Sequence, residues 1–137
     1  MTVFVDTSAF YAVLDADDAH HALAAAEWRR LLQDSSRLMT TNYVLVEATA
    51  LVQHRLGLEA VRIFQQDVCA ILGVEWIDAG MHTAGMSSVM AAGRRALSLV
   101  DCVSFATMRN LGIGDVFAFD EHFAEQGFTC LPSLAAG

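Results

Sequence analysis

The sequence predicts an α/β fold in which helices cover both faces of a central, mostly parallel sheet, giving an α/β/α arrangement of three layers. Short apolar runs alternate with helical patterns along the chain, and this alternation favours parallel strands joined by right-handed crossovers. The first of these runs, residues 3–5, lacks the polar alternation of a half-solvated strand, so a buried strand is expected there. A chain of 137 residues is long enough for one domain with a real core. We therefore expect a single domain over residues 1–137, with residues 132–137 as a flexible tail.

The first predicted strand ends at an acid. Residues 3–5, Val-Phe-Val, read as a buried strand, and Asp6 stands at its carboxyl end, where ligands bind in open α/β sheets. Thr7 and Ser8 begin a short helix, so Asp6 is also a candidate N-cap that satisfies backbone amides. A cluster of aspartates ends this helix, and residues 19–33 form the next one.

The third predicted helix carries an acid. Residues 38–40 form a short strand, and Thr41 or Asn42 then caps a helix that runs to residue 56. Glu47 lies inside this helix, and the side chains three and four positions away from it are mostly apolar. We therefore expect its carboxylate to leave the apolar face and to be half-buried. A half-buried glutamate without a basic neighbour is energetically costly.

The second half of the chain repeats the alternation. Residues 58–72 are predicted to form a helix, residues 74–77 a strand, and Asp78 caps a helix that ends near residue 92. Residues 116–119 form another sheet strand, and residues 128–131 form an edge strand. Gly73 ends the helix over 58–72, as a glycine after the last helical turn commonly does.

Two further acids belong to this second half. Ser98 caps the last long helix, and Asp101 lies in its first turn among apolar neighbours, so this carboxylate is also expected on a buried face. Asp120 follows a strand as Asp6 follows the first. With Glu47, four carboxylates are thus expected to converge at one edge of the sheet.

A convergence of four acids favours a bound cation. Such a cluster repels itself, so Mg²⁺ or Mn²⁺ held through oxygen ligands is the economical explanation. A hard metal held by carboxylates suits hydrolysis of a phosphodiester, because the metal lowers the pKa of a bound water and screens the charge of the phosphate.

The composition limits the partners. Hydrophobic residues make up 55% of the chain and charged residues 18%, an excess of apolar side chains that favours a protein partner, including a homodimer. The formal net charge of −8 argues against a broad, nonspecific grip on nucleic acid. No apolar run approaches the roughly 18 uncharged residues of a membrane span, and no basic leader precedes the first strand. We expect a cytoplasmic protein without a membrane segment.

Four motifs carry a family resemblance. They are Asp-Thr-Ser at 6–8, Glu47 in a helix opened by Thr-Asn, Leu-Ser-Leu-Val-Asp at 97–101, and Phe-Asp-Glu-His-Phe at 119–123. In this order and context they resemble the PIN-domain ribonucleases of the VapC toxin type, over nearly the whole chain. One departure is Ala118, where relatives often carry Thr before the Phe-Asp pair.

The resemblance implies an activity, a cofactor and partners. It implies a PIN-like endoribonuclease that cleaves RNA with Mg²⁺ or Mn²⁺, commonly dimeric, which is the toxin of a type II toxin–antitoxin pair and is inhibited by a cognate antitoxin protein. It also implies a set of site residues, in which four acids bind metal and Ser8 is an orienting hydroxyl. The four acids are Asp6, Glu47, Asp101 and Asp120.

Other functions stay open or are disfavoured on the sequence alone. A catalytically inactive PIN-like binding module and a metal nuclease acting on DNA both remain as alternatives. A haloacid-dehalogenase-like phosphatase needs a second acid where Ser8 stands, and both it and a phospho-accepting receiver normally use a Lys, which this chain lacks. No Walker glycine loop is present. The three cysteines are widely spaced and are expected to be buried free thiols.

Overall fold

The sheet has five strands, all parallel, in the order β3-β2-β1-β4-β5. The structure, a computed structural model, describes residues 1–133. The strands are β1 Thr2–Val5, β2 Arg37–Thr41, β3 Gly73–Glu75, β4 Asp115–Phe117 and β5 Thr129–Leu131. The predicted α/β fold is confirmed, and the sheet is entirely rather than mostly parallel.

Within residues 1–133, seven α-helices connect and cover the strands. Helices that lead the chain from β1 towards β3 and helices that lead it back to β4 and β5 lie on opposite faces, because parallel crossovers are right-handed. Within these layers α1 packs on α2 and α3, and α5 packs on α6. The helices are α1 Thr7–Leu14, α2 His21–Gln33, α3 Asn42–Leu56, α4 Leu58–Ile63, α5 Ala79–Ala92, α6 Leu99–Leu111 and α7 His122–Glu125.

The centre of the sheet is the driest part of the molecule. Val3, Phe4 and Val5 of β1 have no exposed surface, and neither have Val116 and Phe117 of β4. The two strands pair directly, with Val5 opposite Phe117. The strand order reverses at this pair, since β2 lies on one side of β1 and β4 on the other. In open α/β sheets a ligand crevice forms at such a reversal, outside the carboxyl ends of the strands.

The predicted helix over 58–72 is wrong in its second half. α4 ends at Ile63, and the chain continues as a π-helical turn, Phe64–Val68, and a 3₁₀ turn, Cys69–Ile71. Phe64 and Val68 are both buried, and the Phe64 ring meets the edge of Phe10 at 5.1 Å between centroids. Because apolar residues four apart share a face in either kind of turn, the periodicity did not reveal the wider one.

Other differences are shifts of element ends. α2 begins at His21 rather than at residue 19, since the Asp15 and Asp18 side chains accept hydrogen bonds from backbone amides two residues on and hold the preceding chain in turns. β4 spans Asp115–Phe117, so it begins one residue and ends two residues earlier than the strand predicted over 116–119. The sequence did not predict α7, because one helical turn is too short to show periodicity. Of the free cysteines, Cys102 is buried, whereas Cys69 and Cys130 are only half-buried.

The remaining predictions concern the chain end and membranes. Residues 134–137 of the predicted tail lie outside the described residues, and Pro132, which follows β5, is half-buried. Across residues 1–133, none of the helices has the length and apolar character needed to cross a bilayer.

Candidate active site

Asp6 lies at the carboxyl end of the central strand and caps α1. Only 4% of its surface is exposed, and its Oδ2 accepts hydrogen bonds from the Ser8 amide at 3.2 Å and the Ser8 hydroxyl at 2.7 Å. Burial raises the pKa of Asp6 to about 7, although the Ser8 hydrogen bonds oppose this, and the nearby charges of Asp101 and Asp120 raise it further. Near neutral pH, protonation therefore competes with the binding of any cation at the Asp6 carboxylate.

Ser8 joins the ends of β1 and β4. Its Oγ donates to Asp6 and accepts a 2.9 Å hydrogen bond from the Phe119 amide. The Asp6 amide in turn donates to the Phe117 carbonyl at 3.0 Å. The predicted orienting hydroxyl is thus placed to fix Asp6, and it also fixes the backbone next to Asp120.

Asp101 reaches the same edge of the sheet from the first turn of α6. It is 8% exposed and forms a capping box with Ser98, in which its Oδ2 accepts from the Ser98 amide at 3.1 Å and its own amide donates to the Ser98 hydroxyl. Burial raises the pKa of Asp101, the Ser98 amide lowers it, and the charge of Asp120 raises it. The acid has a structural role in the helix and an electrostatic one in the site.

Asp120 is the most accessible acid of the three. It is half-buried, and its Oδ1 accepts a 2.9 Å hydrogen bond from the His122 amide. Each of the three carboxylates therefore has one oxygen held by hydrogen bonds, while its second oxygen accepts none from the part of the chain that the structure describes. That leaves one oxygen of each carboxylate available to an external ligand.

The positive charges near the cluster are few. Within residues 1–133, none of the ion pairs includes one of the three aspartates. His122 is a titratable neighbour of the acids to which the sequence pattern gave no role: its hydrogen bond with Glu125 raises the pKa of its imidazole, and the charges of Asp120 and Asp101 add to this. Its position two residues after Asp120 was the only signal in the sequence.

Glu47 corrects an expectation, because its side chain is exposed rather than half-buried. The buried face of α3 carries Val44, Ala48 and Val52, and Glu47 points about 100° away from Ala48. It lines a shallow depression of about 320 Å³ together with Val100, the residue before Asp101. The structure therefore brings three of the four predicted acids together, while Glu47 lies on the surface in the depression beside Val100.

Comparison with known proteins decides the family. A family model described as "PIN domain" matches residues 3–128.

The chain belongs to the PIN domain family.

Relatives with assigned functions agree with this. The chain is 34% identical over 127 residues to the "23S rRNA-specific endonuclease VapC20" of Mycobacterium tuberculosis, covering 92% of this chain and 95% of that protein. The crystal structure of M. tuberculosis VapC20, titled as a "Sarcin-Ricin loop cleaving toxin", superposes with a TM-score of 0.80 at 32% identity over 93% of this chain and 96% of that one. The predicted resemblance to VapC-type ribonucleases is confirmed, and this PIN domain is an endoribonuclease of that toxin family.

A more distant structure shows the fold alone. FitAcB from Neisseria gonorrhoeae superposes on this PIN domain with a TM-score of 0.66 at 15% identity, over 95% of this chain and 96% of that one. The fold thus tolerates wide sequence divergence, as expected when the core needs only apolar residues of suitable size.

The donor set of this PIN domain suits a hard divalent cation. Three carboxylates from β1, α6 and β4 offer one free oxygen each, and oxygen ligands are those that Mg²⁺ and Mn²⁺ prefer. Over residues 1–133, no three His, Cys, Asp or Glu side chains are grouped closely enough to hold an ion as they stand. Mg²⁺ keeps several waters and is usually bound through one or two carboxylates, so it does not need all three aspartates as direct ligands.

A larger cavity lies away from these acids. It measures about 490 Å³, and Met1, Arg37 and Asp115 line it at the amino-terminal edge of the sheet. Chemistry in this fold belongs to the opposite edge, where the strand order reverses. Cavity size alone therefore does not locate the site.

Proposed function

We propose that this chain is a Mg²⁺- or Mn²⁺-dependent endoribonuclease toxin in which Asp6, Asp101 and Asp120 hold the metal. The observation that carries the proposal is the meeting of these three carboxylates at the reversal of strand order, with two of them buried and their pKa values raised. We propose Glu47 as the fourth acid of the site; its side chain lies in the exposed depression beside Val100.

The protein contributes to the reaction by fixing the orientation of the three carboxylates through hydrogen bonds. Ser8 fixes one oxygen of Asp6, the Ser98 amide fixes one of Asp101, and the His122 amide fixes one of Asp120. The remaining oxygens are then presented without reorganisation, which is the main contribution a preorganised site makes. When bound, the divalent metal supplies an activated water and neutralises charge on the phosphate.

We further propose that the substrate is a folded segment of 23S ribosomal RNA of the sarcin–ricin loop kind. The relative named for that activity matches over nearly its whole length. A net charge of −8 favours a narrow contact with one folded RNA over broad backbone binding. A ribosomal target would place the activity in the cytoplasm.

The test is cleavage of intact ribosomes and of a sarcin–ricin hairpin by purified protein with Mn²⁺, mapped by primer extension. We expect one cut in the loop, its loss in EDTA, and its loss in Asp6→Asn. Equal cleavage in EDTA would contradict metal dependence, and cuts scattered over the ribosomal RNA would contradict the substrate. Binding without cleavage would favour an inactive binding module, and cleavage of DNA oligonucleotides alone would favour a DNA nuclease.

Partners follow from the surface. Large apolar side chains remain exposed at Val46, Trp76 and Met90, with 70%, 71% and 76% of their surfaces accessible. We propose that a homodimer and a cognate antitoxin cover this surface, and that an Arg of the antitoxin pairs with the free aspartate oxygens as a metal would. Light scattering at micromolar concentration and copurification with the neighbouring gene product test both. A lone monomer in both assays would contradict them.

A further inference from the structure

A flat aromatic pair borders the acids and has no role in the function proposed above. The His20 imidazole stacks on the Phe119 ring with 4.5 Å between centroids and 16° between planes. Phe119 is half-buried, whereas His20 is exposed. One face of the imidazole is therefore covered by Phe119, and the opposite, parallel face is left for a ligand.

The pair has a fixed position relative to the catalytic acids. The Phe119 ring meets Phe117, a fully buried residue of β4, in an edge-to-face arrangement with 6.2 Å between centroids and 65° between planes. The Phe119 amide donates to the Ser8 hydroxyl, which donates to Asp6, and the next residue in the chain is Asp120. A group stacked on His20 would thus lie beside the site at a distance that the sheet determines.

The backbone of His20 is also held. Its amide donates to Oδ1 of Asp18 at 2.8 Å, and its carbonyl accepts a 2.9 Å hydrogen bond from the Ala24 amide. A ring that is already in place loses little conformational entropy when a ligand stacks on it. This is the property that a recognition platform requires.

The surroundings decide which part of an RNA this ring contacts. Asp15, Asp17 and Asp18 lie in the same loop, and such a concentration of negative charge disfavours a phosphate as the ligand of His20. A nucleobase has an uncharged face, and proteins bind unstacked bases of RNA loops on flat side chains. We infer that His20, supported by Phe119, is a stacking platform for a nucleobase next to the scissile phosphate, and so a substrate-binding residue.

The inference rests on the RNA cleavage proposed above, but it has a test that does not. Metal-free protein is titrated with adenosine 5′-monophosphate and, in a separate experiment, with ribose 5-phosphate. The imidazole protons are followed by NMR, and the His20 signal is assigned by its absence in the His20→Gln variant. The base should move the His20 signals upfield in a saturable manner, ribose 5-phosphate should not, and the exposed His54 should not respond. An unmoved His20 signal at millimolar nucleotide would overturn the platform.

Kinetics supply the second arm. His20→Ala should raise KM for the cleaved RNA about tenfold with kcat nearly unchanged, and His20→Phe, which keeps the flat face, should restore KM. His54→Ala at the far end of α3 is the matched control. Equal impairment of the Ala and Phe variants, or a lowered melting temperature with an unchanged KM, would show that the stack is not a platform. If the wild type cuts no RNA at all, the proposed function fails, and the nucleotide titration alone decides the platform.

Discussion

The Ser8 hydroxyl donates a 2.7 Å hydrogen bond to Oδ2 of Asp6 while accepting one from the Phe119 amide. One hydroxyl thus links the acid after β1 to the chain that leads into Asp120. It also favours the charged form of Asp6, since a hydrogen bond to a carboxylate lowers its pKa against the effect of burial.

Replacing this serine should change the pH dependence of cleavage. In Ser8→Ala the pKa of Asp6 should rise further, so a higher pH is needed to form the carboxylate that we propose as a metal ligand. We expect the acidic limb of the kcat/KM profile to move up by about one pH unit, the worth of a charge-assisted hydrogen bond. Ser88→Ala, on the exposed helix α5, is the control. An unshifted profile would mean that Ser8 has only a packing role.

Neutralising Asp6 should separate stability from metal binding. At pH 8 without metal, Asp6→Asn removes a buried charge and the repulsion from Asp101 and Asp120, so the variant should be at least as stable as the wild type. Saturating Mg²⁺, at about a hundred times its dissociation constant, should stabilise the wild type by about 2.7 kcal/mol and the variant far less. Thermal melts measure both.

Asp34→Asn supplies the control for that comparison. Asp34 is exposed and pairs with Arg30 at the end of α2, away from the acids. Its variant should respond to Mg²⁺ as the wild type does. If Asp6→Asn instead unfolds with or without metal, Asp6 is needed chiefly as the cap of α1.

The raised pKa of Asp6 predicts the sign of a stability change with pH. The pKa rises from 3.8 to about 7 on folding, so between these values the native state holds a proton that the unfolded chain has lost. The free energy of unfolding contributed by Asp6 therefore falls as pH rises from about 4 to about 7 and is constant above. Urea titrations in EDTA should show wild type losing stability relative to Asp6→Asn across this window. If the difference in free energy of unfolding between the wild type and Asp6→Asn does not change with pH, Asp6 is not a buried carboxyl that stays protonated in this window.

The contact between α5 and α6, the helix that carries Asp101, gives a prediction that does not depend on metal binding. A Cβ on Gly85 of α5 would lie 2.6 Å from Cγ2 of Val103 and 3.1 Å from Cδ1 of Leu99, both on α6. Gly85→Ala should therefore cost about 1–3 kcal/mol by urea titration. On the same helix, Gly80→Ala meets only Asp78 Oδ1 at 3.5 Å and should stabilise by up to about 1 kcal/mol. Equal changes in the free energy of unfolding of the two variants would show that α5 and α6 move apart at no cost to admit a methyl group at position 85.

The predictable parts of this molecule follow local rules. Asp6, Asp78 and Ser98 accept hydrogen bonds from the first turns of their helices as capping residues should. The buried strand at residues 3–5 was recognisable because no polar residue alternates with its apolar ones. Since parallel strands bring their carboxyl ends to one edge, the meeting of the acids after β1 and β4 followed as well.

Other features depend on tertiary context. α3 carries apolar residues nearly all round, with Val46 70% exposed and Val44 fully buried, so periodicity could not tell which face meets the core, and the exposure of Glu47 was missed. The stack of His20 on Phe119 joins two irregular segments that are far apart in the chain. No sequence period relates such segments, so only the fold shows them together.

The link between Ser8 and Phe119 spans 111 residues, and it has a consequence for synthesis. β1, β2 and β3 leave the ribosome first. The edge of β1 that pairs with β4 stays unpaired until β4 is synthesised, after most of the chain. A nascent chain therefore carries Asp6 long before it carries Asp101 and Asp120, and the site closes only when β4 takes its place beside β1. The three aspartates can therefore meet only after nearly the whole chain has been synthesised.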